Sequence, residues 1–390
     1  MQILIAPDSF KGSLSAEEVC TTIQKALSEV ISNVQIEVVP MADGGEGTTD
    51  CLVYSTNGTK VEIETTGPLM DRVSSFYGIM GDGRTVVIET AAIAGLTMVP
   101  VEKRNPLNTT TYGIGEIILH ALNEGYRKFI IGLGGSATND GGLGMLQALG
   151  AKFCDQHGMI FSPIGGSLPK ITMVDLHLLD PRIHESEIIV ASDVVNPLCG
   201  PRGASYVFGT QKGAAPEQLA MLDQSLHHYA NLIEEHLGID VQNQQGAGAA
   251  GGLGFAFLVL GAVIQSGATV VAQAANLERK MNDADWVITG EGQSDYQTIY
   301  GKVPLYVAKL ANENHVKALL LSGSLGEGYE QLYDYFVGCF SIIQKPSDLT
   351  FCMTNAEKLL YDASLNLGRL LNTIQSDEKM INELLKGVRK

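Results

Sequence analysis

The sequence predicts an α/β protein of two domains, the first built from both ends of the chain and the second inserted into it. Three observations carry this. At either end of the chain, short apolar runs (Gln2 to Ala6, Val34 to Pro40, Asp285 to Ile288, Ala318 to Leu321, Val337 to Ile342) alternate with segments of helical spacing, the rhythm of a parallel sheet with helical crossovers. Between them KVEIETT, VSSFYGIM and RTVVIET, within residues 60 to 90, follow one another with only Gly67-Pro68 and Gly81-Asp82-Gly83 as turns, which calls for an antiparallel or mixed sheet. The length, 390 residues, exceeds one typical domain, and 45% hydrophobic residues suffice for two cores. The expected boundaries are 1–59 with 282–390 for the discontinuous domain and 60–281 for the insert.

Taken in order, the first strand delivers Asp8, Ser9 and Lys11 ahead of a helix. Ser15 and Glu18 mark that helix start with the spacing of a capping box, and the helix should run to about Ile31. Open α/β sheets hold ligands at the carboxyl ends of their strands, so these three residues are candidates, Lys11 for a phosphate. A turn cap and a solvated lysine are the plain alternatives. The second strand delivers Asp43-Gly44-Gly45-Glu46-Gly47-Thr48. Two carboxylates beside a helix start suit magnesium, which takes oxygen ligands and keeps part of its water. Arg104 lies in a polar loop before a helix from Ile114 to Glu124, and its planar fork matches a substrate carboxylate.

Lys128 to Ala151 is the densest signal. Phe129, Ile130 and Ile131 read as a strand and Leu143, Met145, Leu146 and Leu149 as a helix, with Gly132, Gly134, Gly135, Gly141, Gly142 and Gly144 leaving the connection almost bare. Bare backbone can turn several N–H groups onto one anion at a helix N-terminus, as a phosphate requires. Ser136, Asn139 and Asp140 lie in this loop, where a tight connection with Asn139 or Asp140 as N-cap is the simpler reading.

The strand from Glu187 to Ala191 ends at Asp193, followed by Asn196-Pro197 and glycine-broken turns that carry Arg202 and Lys212. An Asp at a strand end near basic side chains can accept the proton of a substrate hydroxyl. An amphipathic helix spans 217–237, and a glycine-rich entry at 246–254 opens an apolar helix from Phe255. The strand from Asp285 to Ile288 leads into Gly290-Glu291-Gly292 and Asp295; the two acids are metal candidates, and Lys302, opening the next helix, a phosphate candidate.

Composition narrows the function. Acidic residues outnumber basic ones, 43 to 26, for a net charge of −17, which disfavours nucleic acid or an anionic membrane as partner. An anionic substrate then needs locally placed cations or a metal. The amino terminus lacks the basic start and long apolar core of a signal peptide, and the longest apolar segment, Phe255 to Ile264, is too short to span a bilayer. The 6 cysteines show no CxxC spacing, so they are expected to be reduced, in the cytoplasm.

No GxxxxGK[ST] occurs, which removes a P-loop, and GLGGSA fits the dinucleotide pattern G-x-G-x-x-A without the acidic residue expected on a later strand. The weight lies in the set, since phosphoryl transfer needs backbone donors, carboxylates for magnesium, cations and a base together. The ordered series APDSFKGSLSA, MADGGEGT, GLGGSATNDGGLG, SDVVNPLCGPRGAS, FGTQKGA, GAGAAGGLGFA and TGEGQSDYQTIYGK resembles the bacterial type-1 glycerate kinase family, from residue 3 to about residue 370. That resemblance implies a Rossmann-like three-layer domain with a parallel sheet, interrupted by an inserted α/β domain, and an active site in the cleft between them. It implies ATP-dependent phosphorylation of D-glycerate, at the 2-hydroxyl to give 2-phospho-D-glycerate and ADP or otherwise at the 3-hydroxyl, with a homodimer compatible with the family.

On this chain the expected roles are Asp193 as base, and Lys11 and Lys302 on the phosphates. Arg104, with Asp8, Ser9 and Asn196, would hold glycerate, while Gly134, Gly135, Ser136, Asn139, Asp140 and Gly292 would hold the nucleotide phosphates. Asp43, Glu46, Glu291 and Asp295 would share Mg2+. A non-catalytic protein binding a sugar acid or nucleotide, and an NAD-linked hydroxy-acid dehydrogenase, are the alternatives.

Overall fold

The structure, a computed structural model, describes residues 1–388, with side chains up to residue 376. The chain divides into two compact units, Met1–Ala42 with the chain from Val271 onward, and Asp43–Val270. In the first, a fully parallel five-stranded sheet runs in the order Gly338–Ser341, Lys317–Ser322, Trp286–Thr289, Gln2–Ile5, Gln35–Val38. The middle strands are covered on both faces, which is why they read as unbroken apolar runs: Ile3, Leu4, Ile5, Val287 and Ile288 are all buried. Helix Ala16–Val30 starts where the sequence places it, with Ser15 and Glu18 each bonding the other's backbone N–H. Its buried face, Val19, Ile23 and Leu27, shares one core with Leu360, Leu367 and Leu371 of the long helix Ala356–Val388.

The second unit holds a mixed six-stranded sheet, ordered Val263–Gln265, Glu187–Ala191, Lys128–Gly132, Thr85–Glu89, Arg72–Ile79, Thr59–Thr66. The first four strands are parallel and the last two antiparallel, the change of rhythm expected after residue 60. The turn between Arg72–Ile79 and Thr85–Glu89 is set by Asp82, whose carboxylate accepts from the N–H groups of Arg84 and Thr85 and the Thr85 hydroxyl.

The chain enters this unit at Asp43 and leaves it at Val270, both earlier than the expected 60 and 281. Helix Thr48–Thr56 belongs to the second unit because Glu89, ending the central strand, caps it through the Gly47 and Thr49 N–H groups. Helix Leu277–Asn282 belongs to the first, where Lys280 pairs with Glu37 at 2.9 Å.

Candidate active site

In the second unit four parallel strands end at Glu89, Gly132, Ala191 and Gln265, and the residues just beyond them are stitched together by backbone. Gly134 donates its N–H to the Gly44 carbonyl at 3.0 Å, and Ser192 donates to the Gln265 carbonyl at 2.9 Å. The Gly267 N–H donates to Oδ1 of Asp193 at 3.0 Å, and Gly45 donates to Oδ1 of Asp43 at 2.9 Å. Gly44 sits in the left-handed region, φ 89°, and a Cβ there would overlap the Ala191 carbonyl. A Cβ at Gly267 would meet the Asp43 backbone. Asp43, Gly134, Asp193 and Gly267 are therefore neighbours, drawn from four segments far apart in sequence.

The Gly134–Ser136 turn is strapped to the preceding loop, with Leu96 donating to the Gly135 carbonyl and Ala137 to the Ala94 carbonyl, both at 2.8 Å. Arg104 reaches the same place: its guanidinium bonds the Leu96 and Val99 carbonyls at 3.4 Å, long contacts that another acceptor can replace. Asn196 lies on its own turn, donating to the Arg202 carbonyl at 2.7 Å.

Asn139 and Asp140 are fully buried. Asp140 accepts from the Thr111 N–H and hydroxyl and from the Gly142 and Gly144 N–H groups, so its oxygens hold the glycine loop and helix Leu143–Ala148 in place. Burial lifts its carboxyl above the usual range, against the pull of those four donors. Asn139 donates to the Ser205 hydroxyl at 3.1 Å, while its carbonyl oxygen is buried without a partner.

Two further ionisable groups are buried here. The Lys212 ammonium, 3% exposed, donates to the Ser136 hydroxyl at 2.9 Å and to the Thr138 carbonyl at 2.7 Å. Burial drives its pKa down to about 7, partly opposed by the negative charge of Asp140. Glu89, 4% exposed, is pushed up to about 7 by burial, while its two N–H donors pull the other way. The folded protein thus keeps a proton that the unfolded chain releases near 4.5, so stability falls as pH rises from about 4.5 to about 7. Glu89→Gln is expected to flatten that part of the profile, read as melting temperature against pH; an unchanged slope would contradict the assignment.

In the first unit the strand ends gather Asp8, Lys11, Glu291 and Gly292. Asp8 donates its N–H to the Gly290 carbonyl at 2.9 Å, its Oδ1 accepts from Ser9 N–H at 2.6 Å, and Gly292 lies against the Lys11 backbone. Glu291 is buried and engaged: Oε1 accepts from the Ser294 and Thr298 hydroxyls, and Oε2 pairs with Lys302 at 3.2 Å. Asp295 caps a turn, accepting from Gln297 N–H at 2.8 Å. Among the described residues no three of His, Cys, Asp and Glu come together as a metal-binding group.

The fold and these strand ends define an α/β enzyme of the kind that handles small molecules beyond the carboxyl ends of its parallel strands. A model of the glycerate kinase family matches residues 3–372. The chain is 46% identical to a glycerate kinase of Haemophilus influenzae over 95% of its length and 99% of the relative's. It is also 46% identical to the glycerate 2-kinase of Escherichia coli K12, over 95% and 98% of the two chains. A solved structure assigned as a glycerate kinase 2 of Salmonella typhimurium LT2 superposes with a TM-score of 0.85 at 44% identity, covering 96% of this chain and 99% of that one. The chain belongs to the glycerate kinase family.

Proposed function

We propose that this enzyme transfers the γ-phosphoryl group of ATP to the 2-hydroxyl of D-glycerate, giving 2-phospho-D-glycerate and ADP. The observation that supports it most strongly is the likeness, along nearly the whole chain, to the glycerate 2-kinase of Escherichia coli. In this reading the glycerate oxygen bonds to the γ-phosphorus as the bond to the ADP oxygen breaks in line, and the hydroxyl proton passes to Asp193. The Gly267 N–H on Oδ1 supports that role by holding the carboxylate at its strand end. Lys11 and Lys302 balance the phosphate charge, and the Gly134–Ser136 and Gly292 turns receive the nucleotide phosphates. Asp8, Ser9 and Asn196 help hold the substrate.

Magnesium asks for hard oxygen donors and keeps several waters, so one or two carboxylates suffice. Asp43, Glu46, Glu291 and Asp295 are the carboxylates proposed for it; Glu291 is the most engaged, held by Ser294, Thr298 and Lys302, while Asp43 and Asp295 also accept from neighbouring N–H groups. When bound, magnesium would neutralise charge across the phosphates. The free thiols of all the cysteines support a reducing, cytoplasmic setting, and among the described residues no helix is long and apolar enough to cross a membrane.

Arg104 is assigned to the glycerate carboxylate. Arg104→Ala is expected to raise KM for glycerate about tenfold or more with kcat nearly kept, as lost ground-state binding does. An unchanged KM would move the carboxylate to another cation. The reaction itself is tested by ADP release from ATP, expected only when both glycerate and magnesium are present; release indifferent to glycerate, or none, would overturn the proposal.

A further inference from the structure

Lys212 is a buried lysine whose hydrogen bonds go to neutral acceptors and to no carboxylate. Its ammonium bonds two neutral acceptors, Ser136 Oγ and the Thr138 carbonyl. Asp140, the acid whose charge acts on it, has its oxygens taken up by Thr111, Gly142 and Gly144. Burying an ammonium is costly unless something repays its lost hydration, and two neutral bonds do so only in part. Met at this position would fill similar volume without that cost, so packing alone does not account for a lysine.

The polarity of the Ser136 bond gives the reason. An ammonium can only donate, so Ser136 Oγ must accept from Lys212. The hydroxyl's one hydrogen is then left to donate elsewhere. Ser136 ends the Gly134–Ser136 turn, whose backbone is strapped by Leu96 and Ala137 at the carboxyl end of strand Lys128–Gly132. We infer that Lys212 is a positioning residue that fixes Ser136 as a hydrogen-bond donor toward a nucleotide phosphate on this turn, and supplies from behind the positive charge that such an anion requires. The inference rests on the proposed kinase reading for the identity of the anion. Its sign is independent of that reading: the site recognises an oxyanion.

The test uses the full chain with Lys212→Met, Ser136→Ala and the double variant. For each, kcat, KM for ATP, KM for glycerate, melting temperature and calorimetric binding of tripolyphosphate are measured. Either single change should raise KM for ATP and weaken tripolyphosphate binding about tenfold or more, leaving KM for glycerate within about twofold. The double variant should lose little beyond the Lys212→Met loss, because both act through one hydroxyl. Lys212→Met should melt no lower than the parent chain. A lower melting temperature with unchanged KM for ATP would make Lys212 structural and overturn the inference, as would fully additive losses. Should Lys212→Met fail to fold, Ser136→Ala still decides: normal ATP and tripolyphosphate affinities overturn it. If the parent chain releases no ADP, the kinase reading fails, and tripolyphosphate binding still tests Lys212 and Ser136.

Discussion

Asp193→Asn is expected to lower kcat by about a hundredfold or more while leaving KM for both substrates nearly unchanged. The substitution keeps the shape of the side chain and an oxygen to accept the Gly267 N–H, so the strand end and the backbone beyond it should hold. It removes the basic oxygen that would take the hydroxyl proton, and a base acts in the transition state rather than in substrate binding. Loss in kcat with a melting temperature near the parent's is therefore the expected signature. Near-normal turnover would remove Asp193 from the base role.

Gly44→Ala should have the largest effect on stability. Two penalties combine there: a left-handed φ of 89°, costing a Cβ-bearing residue about 1 kcal/mol or more, and overlap of that Cβ with the Ala191 carbonyl, which backbone cannot yield cheaply. Together they should exceed about 2 kcal/mol. Gly47→Ala is the control, since φ is 88° but a Cβ would meet nothing within 4 Å. It should show the conformational penalty alone. Because Gly44 also accepts from Gly134, its displacement should slow turnover as well. Equal melting losses for the two variants would contradict the close approach of the Gly44 loop to Ala191, at the end of the strand that precedes Asp193.

These two residues were visible in the sequence for local reasons. Gly44 stood in a glycine turn after a strand, and Asp193 at the end of an apolar run, both patterns set by neighbours a few residues away. The same holds for the capping box of Ser15 and Glu18 and for the two kinds of sheet, whose strands announce themselves by apolar runs and spacing. Lys212 and Glu89 were not legible as buried groups. Lys212 stood out only as a cation in a glycine-broken turn and Glu89 not at all; their burial is decided by segments many residues distant, Ser136 and Thr138 for one, Gly47 and Thr49 for the other. Asp140 illustrates the converse. Its place in a glycine loop suggested a ligand contact, whereas Thr111, remote in sequence, turns its carboxylate inward to hold the loop. The division at Asp43 was missed for the same reason, since Glu89 draws helix Thr48–Thr56 into the second unit.

The central claim is that phosphate is placed on the 2-hydroxyl of glycerate, and phosphorus NMR of the product reads it directly. A phosphate on C2 is coupled to one carbon-bound proton across the ester oxygen and on C3 to two. The account predicts a new phosphorus doublet that grows with ADP and stays absent when glycerate or magnesium is left out. A triplet would place the phosphate on the 3-hydroxyl, and inorganic phosphate alone would show that no transfer to glycerate takes place.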